Sequence, residues 1–177
     1  MISGAEIMVK CLEAEGVEIA FGYPGAVICP FYDYLYQSSI RHVLVREELN
    51  AAHMASGYAR SCGKPGVCIA TSGPGATNFI TGIATAYMDS IPMVAITGQV
   101  NSELLGRDVF QEADVTGACE SFTKHSYLVK DTRELPRIFK EAFHIASTGR
   151  PGPVLIDVPV DIQQNKIESF SYPEKAE

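Results

Sequence analysis

GVCIATSGPGATN, residues Gly66 to Asn78, runs from an unbroken apolar stretch straight into a glycine–proline turn and a helix start. The apolar part does not alternate with polar residues, which fits a strand of a parallel sheet covered by helices on each face. The pattern recurs outward in both directions. HVLV (His42–Val45), MVAIT (Met93–Thr97) and PVLIDV (Pro153–Val158) are short, apolar and rich in β-branched residues. SYLV (Ser126–Val129) is a weaker copy, and EIAFG leads into a turn at Gly22–Gly25.

Helical periods fill the gaps between these strands. Ser3 and Glu6 form an S-x-x-E capping box ahead of Ala5, Met8, Val9 and Leu12, with Gly16 as a stop. Thr132 opens the clearest helix, in which Leu135, Ile138, Phe139, Ala142, Phe143 and Ala146 share one face and Pro136 falls harmlessly in the first turn. The alternation predicts an α/β fold: a doubly wound, mostly parallel sheet of about six strands with helices on both faces. Residues 1–164 read as one domain. After Pro159 the text turns polar and loses its period, so residues 165–177 read as a linker towards a further domain.

The chain has 177 residues, 46% of them hydrophobic and 20% charged, which suits one globular domain rather than two. A net charge of −7 with scattered basic residues argues against nucleic acid or an anionic membrane as a partner. No stretch has the run of apolar residues that a membrane span needs, and the N-terminus lacks the pattern of a secretory signal. Five cysteines without a C-x-x-C pair read mostly as buried free thiols in a reducing, cytoplasmic setting. His42, His53, His125 and His144 show no metal-ligand spacing, so no metal site is expected from this chain.

In such sheets ligands gather at the carboxyl ends of the strands. The segments there are GYPGA, REELN, SGPGATN and GQVNSELLGRDVFQE. SGPGATN lacks the third glycine of a dinucleotide loop and the G-K-[ST] of a P-loop, so spacing alone favours a tight strand-to-helix turn. Glu47 and Glu48 stand where an apolar strand meets a helix. Taken alone they are acids favoured by a helix dipole, by ~0.3–1 kcal/mol each. A carboxyl at a strand end could instead hold and pass a proton, and alternation lets at most one of the two face a cleft.

Read together and in order, these segments carry more. The series is GYPG…P-x-YD, R-x-E…AAHMA-x-GYAR, ATSGPGATN, DSIPMVAITGQV, G-x-D-x-FQE, TKH-x-YLV and GRPGPVLIDVP-x-DIQQ. It resembles the amino-terminal, pyrimidine-binding domain of acetolactate synthase catalytic subunits, which are thiamine-diphosphate enzymes. The resemblance implies that Glu48, not Glu47, touches ring nitrogen N1′ of the cofactor and favours the imino tautomer, whose N4′ can take the C2 proton. It puts Gln111, Pro74, Asn78, Tyr23 and Gly25 beside thiamine diphosphate. Ser90 and Arg150 fall at FAD contacts, and Phe110, Lys124 and Val27 edge the substrate channel.

The family chemistry condenses two pyruvates, or pyruvate and 2-oxobutyrate, to an acetohydroxyacid with loss of CO2, on the way to valine, leucine and isoleucine. It uses Mg²⁺, bound by a C-terminal domain, and works as a homodimer or tetramer, with or without a regulatory small subunit. The Mg²⁺-diphosphate motif, G-D-G followed by Asn, does not occur in this sequence. A piece carrying only the pyrimidine half of the site is expected to be inactive alone. The sequence departs from the family at R-E-E-L-N for the usual R-H-E-Q-G, at GYPGA for GYPGGA, and at Asn101, Ser102 and Glu103 after GQV. The rival readings are a sister enzyme such as sulfoacetaldehyde acetyltransferase, a non-catalytic binding or assembly module, and a nucleotide-binding domain.

Overall fold

The computed structural model describes residues 1–176. Eight strands appear: β1 Ile2–Ser3, β2 Ile19–Gly22, β3 Arg41–Leu44, β4 Gly66–Ala70, β5 Met93–Gln99, β6 His125–Leu128, β7 Pro153–Pro159 and β8 Lys166–Ile167. The α-helices are α1 Gly4–Ala14, α2 Cys29–Gln37, α3 Glu48–Cys62, α4 Pro74–Thr77, α5 Ile80–Met88, α6 Val115–Cys119, α7 Leu135–Ser147 and α8 Val160–Gln164. Six strands form one sheet in the order β3-β2-β4-β5-β7-β6, every neighbouring pair parallel. The doubly wound α/β class read from the sequence is the fold observed.

The sheet is apolar on both faces because each face has its own core. Val67, Ile69, Val94, Ile96, Val154 and Ile156 pack with α1, α2 and α7. Their alternates Cys68, Ala70, Ala95 and Leu155 pack with α3 and α5. Fully burying a side chain such as Phe31, Phe79 or Phe139 contributes roughly 1.5–3 kcal/mol each. The second face uses small residues, and an added Cβ on Gly82 would collide with the Cβ of Ala52. That close crossing of α5 on α3 fixes α3 and therefore the position of Glu48 at its start.

Several boundaries differ from the sequence reading. HVLV is not a buried strand: β3 lies at the sheet edge, ends at Leu44, and leaves that leucine 62% exposed. The helix expected from Thr132 begins as a 3₁₀ turn over Thr132–Glu134, and the Thr132 hydroxyl donates instead to the Ile162 carbonyl at 2.9 Å. Cys29 and Cys62 are exposed, while Cys11, Cys68 and Cys119 are buried, and all five are free thiols.

The residues read as a departing linker are partly tied to the domain. Strand β8 pairs antiparallel with β1, and Phe170 and Tyr172 pack against the first core. The Tyr172 hydroxyl donates to Glu15 at 2.8 Å, and Lys140 reaches the same carboxylate at 2.9 Å. Tyr172 is held there by a partner more than a hundred residues away in sequence, which no local period can reveal. No helix among the described residues is long and apolar enough to cross a membrane. Nor do those residues contain a group of three or more potential metal ligands.

Candidate functional site

Strands β2, β3 and β4 are neighbours, so the turns that follow them converge at one end of the sheet. Helix α3 opens there. Glu47 is its N-cap, extended (φ −159°, ψ 139°), exposed and without a side-chain capping bond. Glu48 is the first helical residue and half-buried. Asn78 donates from Nδ2 to Glu48 Oε2 at 2.9 Å, which fixes the carboxylate and leaves Oε1 pointing towards the glycine turn. One acid of the pair faces inward and the other faces water.

The turn after β4 supplies the floor. A Cβ added to Gly75 would lie 3.2 Å from Glu48 Oε1 and 2.8 Å from Thr71 Cγ2. One added to Gly25, in the turn after β2, would lie 2.5 Å from Thr71. At both glycines the backbone packs directly against Thr71, leaving no room for a side chain. Thr71 Oγ1 and Ser72 Oγ are buried and have no hydrogen-bond partner. An unpartnered buried hydroxyl costs roughly 1–3 kcal/mol, and that of Thr71 lies under the glycine turn that Glu48 also touches, where a polar ligand would make up the deficit. A half-buried carboxylate held by Asn78 beside a glycine turn offers an acceptor that suits a ring nitrogen such as that of an aminopyrimidine.

The fourth wall comes from the long segment after β5. Gly73 has φ +59°, and a Cβ there would lie 2.6 Å from the Gln111 carbonyl oxygen, so the two backbones touch. Gln111 itself has φ +59°, unusual for a residue with a side chain. Glu112 clips this segment, accepting from the N–H groups of Gly106 and Val109, and those donors hold its carboxyl below the usual range. Asn101 caps the 3₁₀ turn that follows it, and Ser102 donates to Asp161 from both backbone N (2.9 Å) and hydroxyl (2.5 Å). Phe110 projects into solvent, 87% exposed.

The expected residues therefore divide. Glu48, Gln111, Pro74, Asn78 and Gly25 come together at the carboxyl ends of the strands, and Tyr23, 43% exposed, follows β2 on the same side. Val27 is on that side too, its carbonyl accepting from Gln163 Nε2 at 2.8 Å. Ser90, Lys124 and Arg150 precede β5, β6 and β7, which puts them at the opposite, amino pole of a parallel sheet. There Arg150 Nε donates to Ser90 Oγ at 2.8 Å and Nη2 to the Tyr87 carbonyl at 3.0 Å. The Lys124 ammonium caps α7 through the carbonyls of Ile145 and Thr148, and partial burial lowers its pKa. Within one copy of the chain, Lys124 does not meet Val27 or Phe110.

Sequence reading passed over three residues. Thr71 and Ser72 stand inside SGPGATN's own approach, yet their orphaned hydroxyls are visible only once the turn is folded. Asp157 had a signal: it is the single charge in the apolar run PVLIDV. It is 1% exposed in β7, and burial pushes its carboxyl up to about 7.

A doubly wound sheet with a glutamate and a glycine turn at its carboxyl pole defines a cofactor-binding α/β domain. Residues 2–118 match the family described as thiamine pyrophosphate enzyme, N-terminal TPP binding domain, and the chain belongs to that family. It is 55% identical over 172 residues, 97% of its length, to the probable acetolactate synthase large subunit of Methanocaldococcus jannaschii, covering 29% of that protein. It is 59% identical over 162 residues to the acetolactate synthase isozyme 2 large subunit of Escherichia coli, covering 92% of this chain and 30% of that one. Against the acetolactate synthase large subunit of Corynebacterium glutamicum it is 54% identical over 175 residues, 98% of this chain and 28% of the relative. The chain spans less than a third of the length of these curated relatives.

Proposed function

We propose that this chain is the pyrimidine-binding part of an acetolactate synthase catalytic subunit, holding thiamine diphosphate by its ring end on Glu48. The observation that carries the reading is the inward carboxylate, Oε2 held by Asn78 and Oε1 facing the glycine turn at Gly75. The names of the relatives, matched over nearly the whole chain, support the choice of enzyme. Thiamine diphosphate, when bound, supplies the carbon nucleophile that attacks a 2-oxo acid. Glu48 would hold the proton at N1′, Asn78 keeps its carboxylate oriented, and the Gln111 backbone lies against Gly73 beside them.

The rest of the assembly follows the same reading. Pyruvate, alone or with 2-oxobutyrate, is the substrate, and the site is completed in a cytoplasmic homo-oligomer, dimer or tetramer, with or without a regulatory subunit. Mg²⁺ would accompany the diphosphate and neutralise its charge. FAD meets the amino pole at Ser90 and Arg150, whose guanidinium already binds Ser90 and Tyr87 through Nε and Nη2 and keeps Nη1 for the ligand. The direct test is product analysis. The full-length enzyme given pyruvate, thiamine diphosphate, Mg²⁺ and FAD should form acetolactate, and a different condensation product or none would sink the assignment.

A further inference from the structure

Asp157 has no part in the chemistry above, and its place in the sheet is unusual. It is fully buried between Ile156 and Val158, where an aliphatic residue would pack as well without desolvating a carboxyl group. Its two oxygens are both used. Thr97 donates to Oδ1 at 2.6 Å and Gln99 Nε2 donates to Oδ2 at 2.9 Å.

Gln99 is the informative partner. It ends β5, is 2% exposed, and its amide makes three hydrogen bonds. Nε2 donates to Asp157 and to the Ala113 carbonyl at 3.0 Å, while Oε1 accepts from the Val100 N–H at 2.9 Å. Val100 and Ala113 are the two ends of the long excursion between β5 and α6. One side chain thus ties both ends of that loop, and Asp157 fixes which way its amide points. The loop needs holding, since it carries two non-glycine residues at positive φ, Asp108 (53°) and Gln111 (59°). Gln111 is the residue whose backbone rests on Gly73.

We propose that Asp157 is a positioning residue: through Gln99 it clasps the neck of the loop from Val100 to Ala113 and so seats Gln111 on the cofactor turn. The proposal rests on the reading of that turn as the thiamine site. The clasp works by hydrogen-bond geometry, so an amide at position 157 can replace the carboxyl: its oxygen accepts from Gln99 and its NH₂ donates to the Thr97 hydroxyl.

The test compares Asp157→Leu, Asp157→Asn and Gln99→Met in the full-length enzyme by hydrogen–deuterium exchange and by the half-saturating concentration of thiamine diphosphate. Asp157→Leu and Gln99→Met should speed exchange across residues 100–113 and raise the half-saturation about tenfold each, the scale of losing a buried hydrogen bond. Exchange in α7 should stay at its wild-type rate, and Asp157→Asn should restore both readouts to within about threefold of wild type. If Asp157→Leu does not fold, Gln99→Met carries the same test, because it leaves Asp157 bonded to Thr97. Unchanged exchange at 100–113 in the folded variants would overturn the clasp. Faster exchange there with cofactor affinity unaltered would keep the clasp and overturn the assignment of the turn to thiamine.

Discussion

Replacing Asp157 by Asn should change how stability depends on pH, by an amount the structure sets. The Asp157 carboxyl is raised from an ordinary 3.8 to about 7, first by burial and further by the charge of Asp114, while Thr97 and Gln99 limit the rise by donating to it. A group protonated more readily in the folded state stabilises the fold below the unfolded value, and that contribution is lost as pH rises through the folded one. Between pH 5 and pH 7 the loss starts at roughly 1.4 kcal/mol per pH unit and halves by pH 7, about 2 kcal/mol in all. Asparagine is neutral throughout and lacks this fall. The stability of Asp157→Asn relative to wild type should therefore climb by about 2 kcal/mol from pH 5 to pH 7 and level off above pH 8.

Urea unfolding of both proteins at half-unit steps of pH measures the difference directly. His42, whose pKa burial lowers, is present in both proteins and cancels. The Cys119 thiol, packed near Asp157 and pushed up to about 11, stays protonated across the window. A difference that is flat from pH 5 to pH 8 would mean that the carboxyl is ionised in the fold, and the account of its burial would be wrong.

Other substitutions probe the packing and the two poles. Gly82→Ala drives a methyl into Ala52 where α5 crosses α3, and should lower stability by about 1–3 kcal/mol in urea titrations; no loss would contradict that close crossing. Tyr172→Phe removes the bond to Glu15 and should cost about 0.5–1.5 kcal/mol, whereas a tail free of the domain would show no effect. Arg150→Ala in the full-length enzyme should weaken FAD retention about tenfold or more, the scale of charge-assisted bonds, while leaving thiamine diphosphate half-saturation at its wild-type value. A matching loss of thiamine affinity would contradict the separation of the poles.

Much of this fold was legible because its strands carry their own signature. GVCIA, MVAIT and PVLID are apolar on both faces, and only a sheet covered twice has use for that. What the pattern could not rank was position within the sheet. HVLV looks as apolar as its neighbours, yet β3 has a partner on one side only and Leu44 faces outward. The packing of the tail was hidden for a similar reason, since Phe170 and Tyr172 find their partners in elements far away in the chain.

For the site, the order of motifs singled out Glu48, and the folded turn sets it apart from its neighbour by geometry. Glu47 caps α3 in water, while Asn78, thirty residues on, turns Glu48 inward. Lys124 and Arg150 stand before their strands, and in a parallel sheet that alone sends them to the pole away from Glu48. The thread from Asp157 through Gln99 to Ala113 crosses strands and loop, so no spacing in the sequence contains it.

The central claim is that Glu48, and not its neighbour, serves the thiamine ring. The measurement that tests it is the rate at which the cofactor C2 proton exchanges with solvent in the full-length enzyme, followed by proton NMR after acid quench. Glu48→Gln should slow exchange by roughly 10²-fold or more, the scale of a lost acid–base group, and Glu47→Gln should leave it near the wild-type rate. Wild-type exchange in Glu48→Gln, or an equal loss in Glu47→Gln, would contradict the account.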